Sequence, residues 1–260
     1  LRGIGSGMKA TGRETRRARF RKSHPSLHKW FTEFLRLAGP RPAPTARELT
    51  FGQMEAHSRT KKLADSPPLF KNSFIDFFSR VHPAIPAIIF IPVIVAVEWI
   101  GATKGWEVWQ MVLISLGGLA FWTLTEYWLH RLIFHWEPDN AFGRRMHFII
   151  HGIHHDHPND KLRLVMPPSV SIPLAALFLL GFVAVLGDAG YPAFGGFMIG
   201  YLGYDYTHYY LHHFVPKSTT GKRLREAHMR HHFQDHRYGY GVSSPLWDVV
   251  FHTLPKKRSH

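Results

Sequence analysis

Four stretches of this chain are apolar for about the length of a membrane helix, and polar segments separate them. Residues 84–103 read AIPAIIFIPVIVAVEWIGAT, with one charge, Glu98. Residues 107–129 read EVWQMVLISLGGLAFWTLTEYWL, charged only near the ends. Residues 169–187 read SVSIPLAALFLLGFVAVLG, with no charge, and residues 191–211 read YPAFGGFMIGYLGYDYTHYYL, with Asp205 near the end. A helix of ~20 residues crosses the ~30 Å of bilayer hydrocarbon. The pattern therefore predicts four transmembrane helices. Buried helices of a soluble protein are the alternative. Trp and Tyr at the ends of the stretches favour the membrane.

The links at 101–106 and 188–191 are short, so they force two antiparallel hairpins. Charge then supports the topology. Of 32 Lys+Arg, only Lys104 lies in a link between paired spans. The others lie before the first span, between the hairpins, or after residue 211. With four spans these all fall on one side, and the positive-inside rule makes that side cytoplasmic. Either a bacterial inner membrane or the endoplasmic reticulum fits.

Residues 1–66 differ from the rest. They are polar, basic and broken by Pro, with a charge run over 13–22 and a linker-like GPRPAP over 39–44. No apolar stretch follows Arg16-Arg17, so a secretory or twin-Arg signal is not expected. The division is a basic, Pro-rich arm over 1–66 and a membrane domain over 67–260. The net charge of +14 suits nucleic acid or anionic lipid. A membrane-facing arm makes lipid the better partner, and no nucleic-acid partner is expected. The chain has no Cys. Disulfides, thiolate metal sites and Cys nucleophiles are excluded, and any metal must be held by nitrogen or oxygen.

The chain has 20 His, and 14 of them lie in two windows, 130–157 and 208–236, where even spreading would place about four. The first window holds His130 and His135, then His151, His154 and His155 as HxxHH. The second holds His208 and His212, then His228, His231 and His232 as HxxHH. The step from the pair to HxxHH is 16 residues in both. The repetition suggests two similar half-sites. Residues i, i+3 and i+4 share one helical face, so HxxHH makes a plausible metal grip. His208 and His212 also share a face. His130 and His135 are i, i+5, about 140° apart on a regular α-helix. The second span is therefore expected to end near His130, with His135 beyond its last turn. All ten rings sit at cytoplasmic span ends. Ten imidazoles suit iron, zinc, copper or nickel, and two ions with four to six ligands each is the economical count.

For the neighbours His147, His157, His213 and His236, exposure or a supporting position is favoured over direct ligation. His24, His28, His57, His82, His252 and His260 are given no role. Asp156, Asp205, Asp235 and Glu126 are candidates to orient imidazoles through the second ring N–H, with capping or surface exposure an equal rival. A metal-binding or metal-transport protein is a reading from another class. Transport wants ligands near mid-membrane, and no span has His in its middle.

The order HRLIFH (130–135), HGIHH (151–155), YDYTHYYLHH (204–213) and HMRHH (228–232) resembles the fatty acid hydroxylase and sterol desaturase superfamily. SPPLFKNSF (66–74) and YGVSSPLWDVVFHT (240–253) look like its fatty acid 2-hydroxylase branch. The resemblance covers roughly 66–254. It implies an all-α polytopic fold, four transmembrane helices under a helical cytosolic cap that holds a histidine-ligated di-metal site. It implies the same ten histidines as ligands. Family members are described with zinc or iron, and the oxygen chemistry argues for iron.

The implied reaction inserts a hydroxyl at C2 of a long acyl chain, using O2 and two electrons. Relatives in the superfamily acting on a sterol, carotenoid, alkylglycerol or sphingoid base carry the same boxes. Eukaryotic 2-hydroxylases often carry a fused haem domain with HPGG. Here His24 and His82 are followed by Pro-Ser and Pro-Ala, so electrons are expected from a separate cytochrome b5-like or ferredoxin-like protein. The acyl chain is expected to come from the bilayer, between the spans and the cap. Trp122, Tyr127, Trp128, Tyr206 and Tyr210 either line its route or serve packing and the interface belt, packing being the commoner role. The Gly usual in the family before the Thr of the last box is His252 here. That leaves open a distorted turn or an eleventh nitrogen near the metals.

Overall fold

A computed structural model of the chain describes residues 59–256. Most of the predicted arm (1–66) lies outside the described residues, as do His24, His28, His57 and His260. Residues 63 and 66, at the end of the predicted arm, are hydrogen-bonded to residues beyond it. Asn159 N donates to Leu63 O over 3.0 Å, and Arg80 reaches Ser66 Oγ over 3.1 Å.

Every regular element among the described residues is helical. A short helix α1, Ser73–Phe77, starts where the Asn72 side chain accepts from the free N–H groups of Phe74 and Ile75. Helix α2, Ile85–Thr103, opens with Pro in its first turn, where no N–H is needed. Helix α3, Val108–Trp128, opens on a reciprocal box between Glu107 and Gln110. Its Glu107 N donates to Gln110 Oε1 over 2.9 Å. Helix α4, Ala141–His147, is capped by Asn140, and α5, Ile153–Asp156, follows a wide turn. Helices α6, Pro168–Leu186, and α7, Gly190–His213, flank a turn at Gly187–Ala189. Helix α8, Thr219–Phe233, is capped by Ser218, and α9, Leu246–Val250, ends the fold.

The two hairpins expected from the sequence are present. Ser115 on α3 donates to Glu98 on α2 over 2.8 Å. Phe182 on α6 packs on Phe194 and Phe197 of α7, the pairing of a chain that has turned back. The short links of both hairpins lie together, since Lys104 pairs with Asp188 at 3.3 Å. Tyr206 near the other end of α7 donates to Pro83 O, just before α2, over 2.9 Å. Among the described residues, three helical stretches are long and apolar enough to cross a membrane: Ile85–Thr103, Val108–Phe134 and Pro168–His213. The third spans 46 residues and contains the turn between α6 and α7.

Helix α7 is the centre of the bundle and packs against α2, α3 and α6. It meets α3 at backbone distance. A Cβ at Gly196 would come within 1.8 Å of the Ser115 carbonyl, and one at Gly118 within 1.8 Å of the Ala193 carbonyl. Between apolar helices, close van der Waals contact of this kind supplies association that lipid tails would otherwise compete for. Trp122, Phe197 and Tyr201 then fill the same interface edge to face.

The second span does not stop at His130. Helix α3 continues as a π-helix over Leu129–Phe134, with His135 N donating to His130 O over 3.3 Å. A π-turn closes at i→i+5. It therefore brings residues five apart onto one face, which a regular α-helix cannot. A second π-turn, Phe148–Gly152, carries His151. The distorted ladder solves what the i, i+5 spacing posed. The regular α-helix does end near His130, at Trp128, but the helical ladder runs on in the wider geometry.

Candidate metal centre

The ten histidines converge in two adjoining groups. In site A, His130, His135, His151 and His231 bring one ring nitrogen each within 4.8 Å of one another. The Nε2 separations are 3.2 Å for His130–His151, 3.3 Å for His130–His135 and 3.0 Å for His135–His231. His155 joins this edge, 3.1 Å from His151. In site B, His154, His208, His212, His228 and His232 satisfy the same 4.8 Å limit. There the separations are 3.0 Å for both His154–His208 and His154–His232, 2.8 Å for His212–His228 and 3.2 Å for His228–His232. The sites meet where His155 and His232 stack, 4.3 Å between centroids.

The two similar half-sites suggested by the repeat are therefore crossed. His130, His135, His151 and His155 come from the first half, but His231 from the second completes site A. His208, His212, His228 and His232 come from the second half, but His154 from the first completes site B. Each HxxHH motif sends its middle histidine to the other site.

The residues fit a pair of ions. A metal–nitrogen bond of ~2.1 Å sets neighbouring ligand nitrogens ~3.0 Å apart at right angles and ~3.4 Å apart in a tetrahedron. The observed separations fall in or close to that interval. Tautomer also points inward. His130 Nδ1 lies 2.6 Å from the Tyr240 carbonyl and His231 Nδ1 lies 2.8 Å from the Tyr238 carbonyl. A carbonyl only accepts, so the proton sits on Nδ1 and the Nε2 lone pair faces the cluster. His231 is fully buried and His130 nearly so. Facing lone pairs in a space shut off from water repel one another unless a cation lies between them. The rings outside the apolar spans are also neutral. Burial, reinforced by neighbouring imidazoles, lowers His135 to about 3 and His155 to about 2. Burial takes His231 to about 4 despite its carbonyl partner. It holds His151, His154, His228 and His232 well below the usual histidine range. Neutral imidazole is the form that binds metal.

Two carboxylates hold the loop that supplies those carbonyls. Asp248 accepts from Tyr240 N (3.0 Å), Gly241 N (2.8 Å) and Thr253 Oγ1 (2.7 Å). Glu126 accepts from Val242 N and Ser243 N, both at 2.8 Å, and from the Ser243 hydroxyl. Glu126 thus orients His130 through the loop and not by touching a ring. The other three candidates do not touch site imidazoles either. Asp235 binds Arg237, Asp156 is exposed, and Asp205 is buried at the wall of the cavity described next. Backbone carbonyls do the work expected of side chains. Asp248, Tyr238 and Tyr240 were not singled out from the sequence, although the 240–253 box contains two of them.

A cavity of about 440 Å³ opens beside both sites, with His151, His154 and His208 in its wall. Its lining is otherwise mainly apolar, including Leu69, Phe70, Phe78, Phe134 and Met166. Asp76 secures one side. It accepts from Leu69 N over 2.6 Å and pairs with Arg80 and, at 3.5 Å, Arg163. None of the five aromatics offered for the lipid route lines the cavity. Trp122 is in the bundle core, Tyr127 and Trp128 pack on Phe251, Tyr206 is tied to Pro83, and Tyr210 stacks on Phe214.

Of the neighbouring histidines, His157 Nδ1 lies 2.8 Å from Lys62 O and His213 packs on Tyr209. His82 accepts from Ala84 N over 3.2 Å. His252 is no eleventh nitrogen. It is exposed and takes φ 56°, the sole positive φ outside glycine among the described residues. A left-handed turn explains why glycine is usual there.

A family model described as fatty acid hydroxylase matches residues 115–253. A dihydroceramide fatty acyl 2-hydroxylase of Arabidopsis thaliana is 43% identical over 74% of this chain and 81% of its own length. The fatty acid 2-hydroxylase of Mus musculus is 33% identical over 74% of this chain and 58% of its own. The solved structure of full-length Scs7p, in which only the hydroxylase domain is visible, superposes with a TM-score of 0.68. It shares 33% identity and 74% coverage of both chains.

Proposed function

Because the chain belongs to the fatty acid hydroxylase family, we propose that it is a membrane di-metal monooxygenase that hydroxylates C2 of a long acyl chain. Supporting this is one juxtaposition: two nitrogen clusters with ligand-like spacing in contact with an apolar cavity. The ten histidines His130, His135, His151, His154, His155, His208, His212, His228, His231 and His232 hold the ions.

Inserting a hydroxyl at a C–H bond beside an acyl carbonyl is an oxidation that acid–base groups alone do not supply, and a bound pair of redox-active ions, iron by this criterion, would supply the oxygen chemistry. The overall balance is one acyl C–H and O2 with two electrons and two protons, giving the alcohol and water. The electrons come from a separate cytochrome b5-like or ferredoxin-like protein. The chain's own residues do the rest. Tyr238 and Tyr240 keep two rings in the ligating tautomer, Asp248 and Glu126 hold that loop still, and the cavity aligns the acyl chain and excludes water. In this reading α2, α3, α6 and α7 are four membrane spans, with the short links outside and the metal centre on the cytoplasmic face.

Expression with a working electron donor in a host that lacks hydroxylated lipids tests the proposal. Mass spectrometry is expected to find 2-hydroxyacyl species, and elemental analysis two iron atoms per chain. A hydroxylated sterol or sphingoid base with no 2-hydroxyacyl product would move the chain to another branch of the superfamily.

A further inference from the structure

Glu137, His147 and His236 stand at the solvent edge of site A and have no part in the di-metal set. Glu137 Oε1 lies 3.5 Å from His147 Nε2 and 3.9 Å from His236 Nε2. His236 stacks flat on the site A ring of His135, 5.5 Å between centroids and 10° between planes. His135, Glu137 and His147 bring ligand atoms within 4.8 Å of one another. We propose that Glu137, His147 and His236 form a third, weaker metal site that passes divalent ions through His135 to site A.

The separations decide between a site and an ordinary ion pair. A charge-assisted N–H···O bond closes to ~2.8 Å, and neither contact does. The His147 Nε2 is buried and has no hydrogen-bond partner. Glu137 and His147 converge with His135, and His236 faces Glu137 from the other side; a carboxylate among imidazoles held apart in this way is what an ion of the zinc, cobalt or ferrous type takes. Exposure fits a relay. The Glu137 and His236 side chains are about half exposed, at 51% and 52%, so water competes with them and an ion is released. A buried centre needs an access path for its metal. His135, only partly buried, is the site A ring against which this group sits. Each member lies a short step from a di-metal ligand in the chain: Glu137 two residues after His135, His147 four before His151, His236 four after His232.

The inference rests on reading site A as a metal site. The test uses the full chain in nanodiscs, stripped by chelator, with Co(II) as the probe. Equilibrium binding is expected to reach three ions per chain, the third lost on washing. The variant Glu137→Gln with His236→Gln is expected to saturate at two and to fill them about tenfold more slowly, with its melting temperature unchanged. His147→Gln, tested alone, is expected to slow loading in the same direction. Wild-type saturation at two ions, or loading of the double variant at the wild-type rate, overturns the relay and leaves the di-metal centre standing. Saturation below two overturns both.

Discussion

Sites A and B are built from the same sequence pattern by different means. Site B takes four rings from the regular helices α7 and α8 and one from α5. The Nδ1 atoms of all five are buried and without a hydrogen-bond partner. Site A takes its rings from two π-turns and their ends, from α5 and from α8, and two of its Nδ1 atoms are tied to backbone carbonyls. The first pair explains the difference. An i, i+4 pair such as His208 and His212 needs no adjustment, whereas His130 and His135 need the wider turn and a loop to steady them. Site B is organised by helix packing, and site A by hydrogen bonds from outside the helices.

The crossed assignment is the sharpest point at which to break this comparison. His154→Ala with His208→Ala removes two rings from site B alone, so about one ion is expected to remain by elemental analysis. His151→Ala with His154→Ala damages both sites, and neither ion is expected to remain. Uncrossed half-sites predict the reverse. The next effect is common to both sites. The rings outside the apolar spans, among them His151 and His231 in site A and His154 and His228 in site B, have lowered pKa values, so between the folded value and ~6.5 the unfolded chain binds the more protons, and metal-free stability falls as pH drops below ~6.5. Each such ring contributes up to about 1.4 kcal/mol per pH unit. Thermal melts of the metal-free chain are expected to be flat above pH 7 and steep below 6, less steep in the His154→Ala, His208→Ala variant.

A third change separates the sites. Asp248→Ala frees the Tyr240 loop, and loss of such an outer partner typically weakens metal affinity by about 10–100-fold. Chelator titration should find that weakening for one ion and not for the other. The smallest effect is expected at His252→Gly. Relief of the left-handed turn should raise stability by at most about 1 kcal/mol, with no change in metal content. A lost ion there would make His252 part of the site after all.

Much of this was legible in the chain because it is local. Twenty apolar residues in a row and a four-residue link specify a hairpin, and a histidine carries its ligating chemistry wherever it sits. What was missed is non-local or rests on backbone. Glu126 was a candidate, but the loop it shares with the distant Asp248 was not foreseen, and the groups that orient His130 and His231 are carbonyls, which every residue has. For the aromatics, packing was the commoner role expected and is the one found, but the partners of Trp122 and Tyr127 come from distant helices and could not be named from the chain.

Composition and spacing by themselves determined the two hairpins, the exclusion of thiolate donors and the grouping of ten histidines into two matching sets. Only the tertiary structure decided that His154 and His231 exchange places and that α3 opens into a π-turn. Spacing sets which side chains share a helical face, but which faces meet depends on how closely whole helices approach, and here that approach is set by glycine contacts between α3 and α7, some way from the histidines.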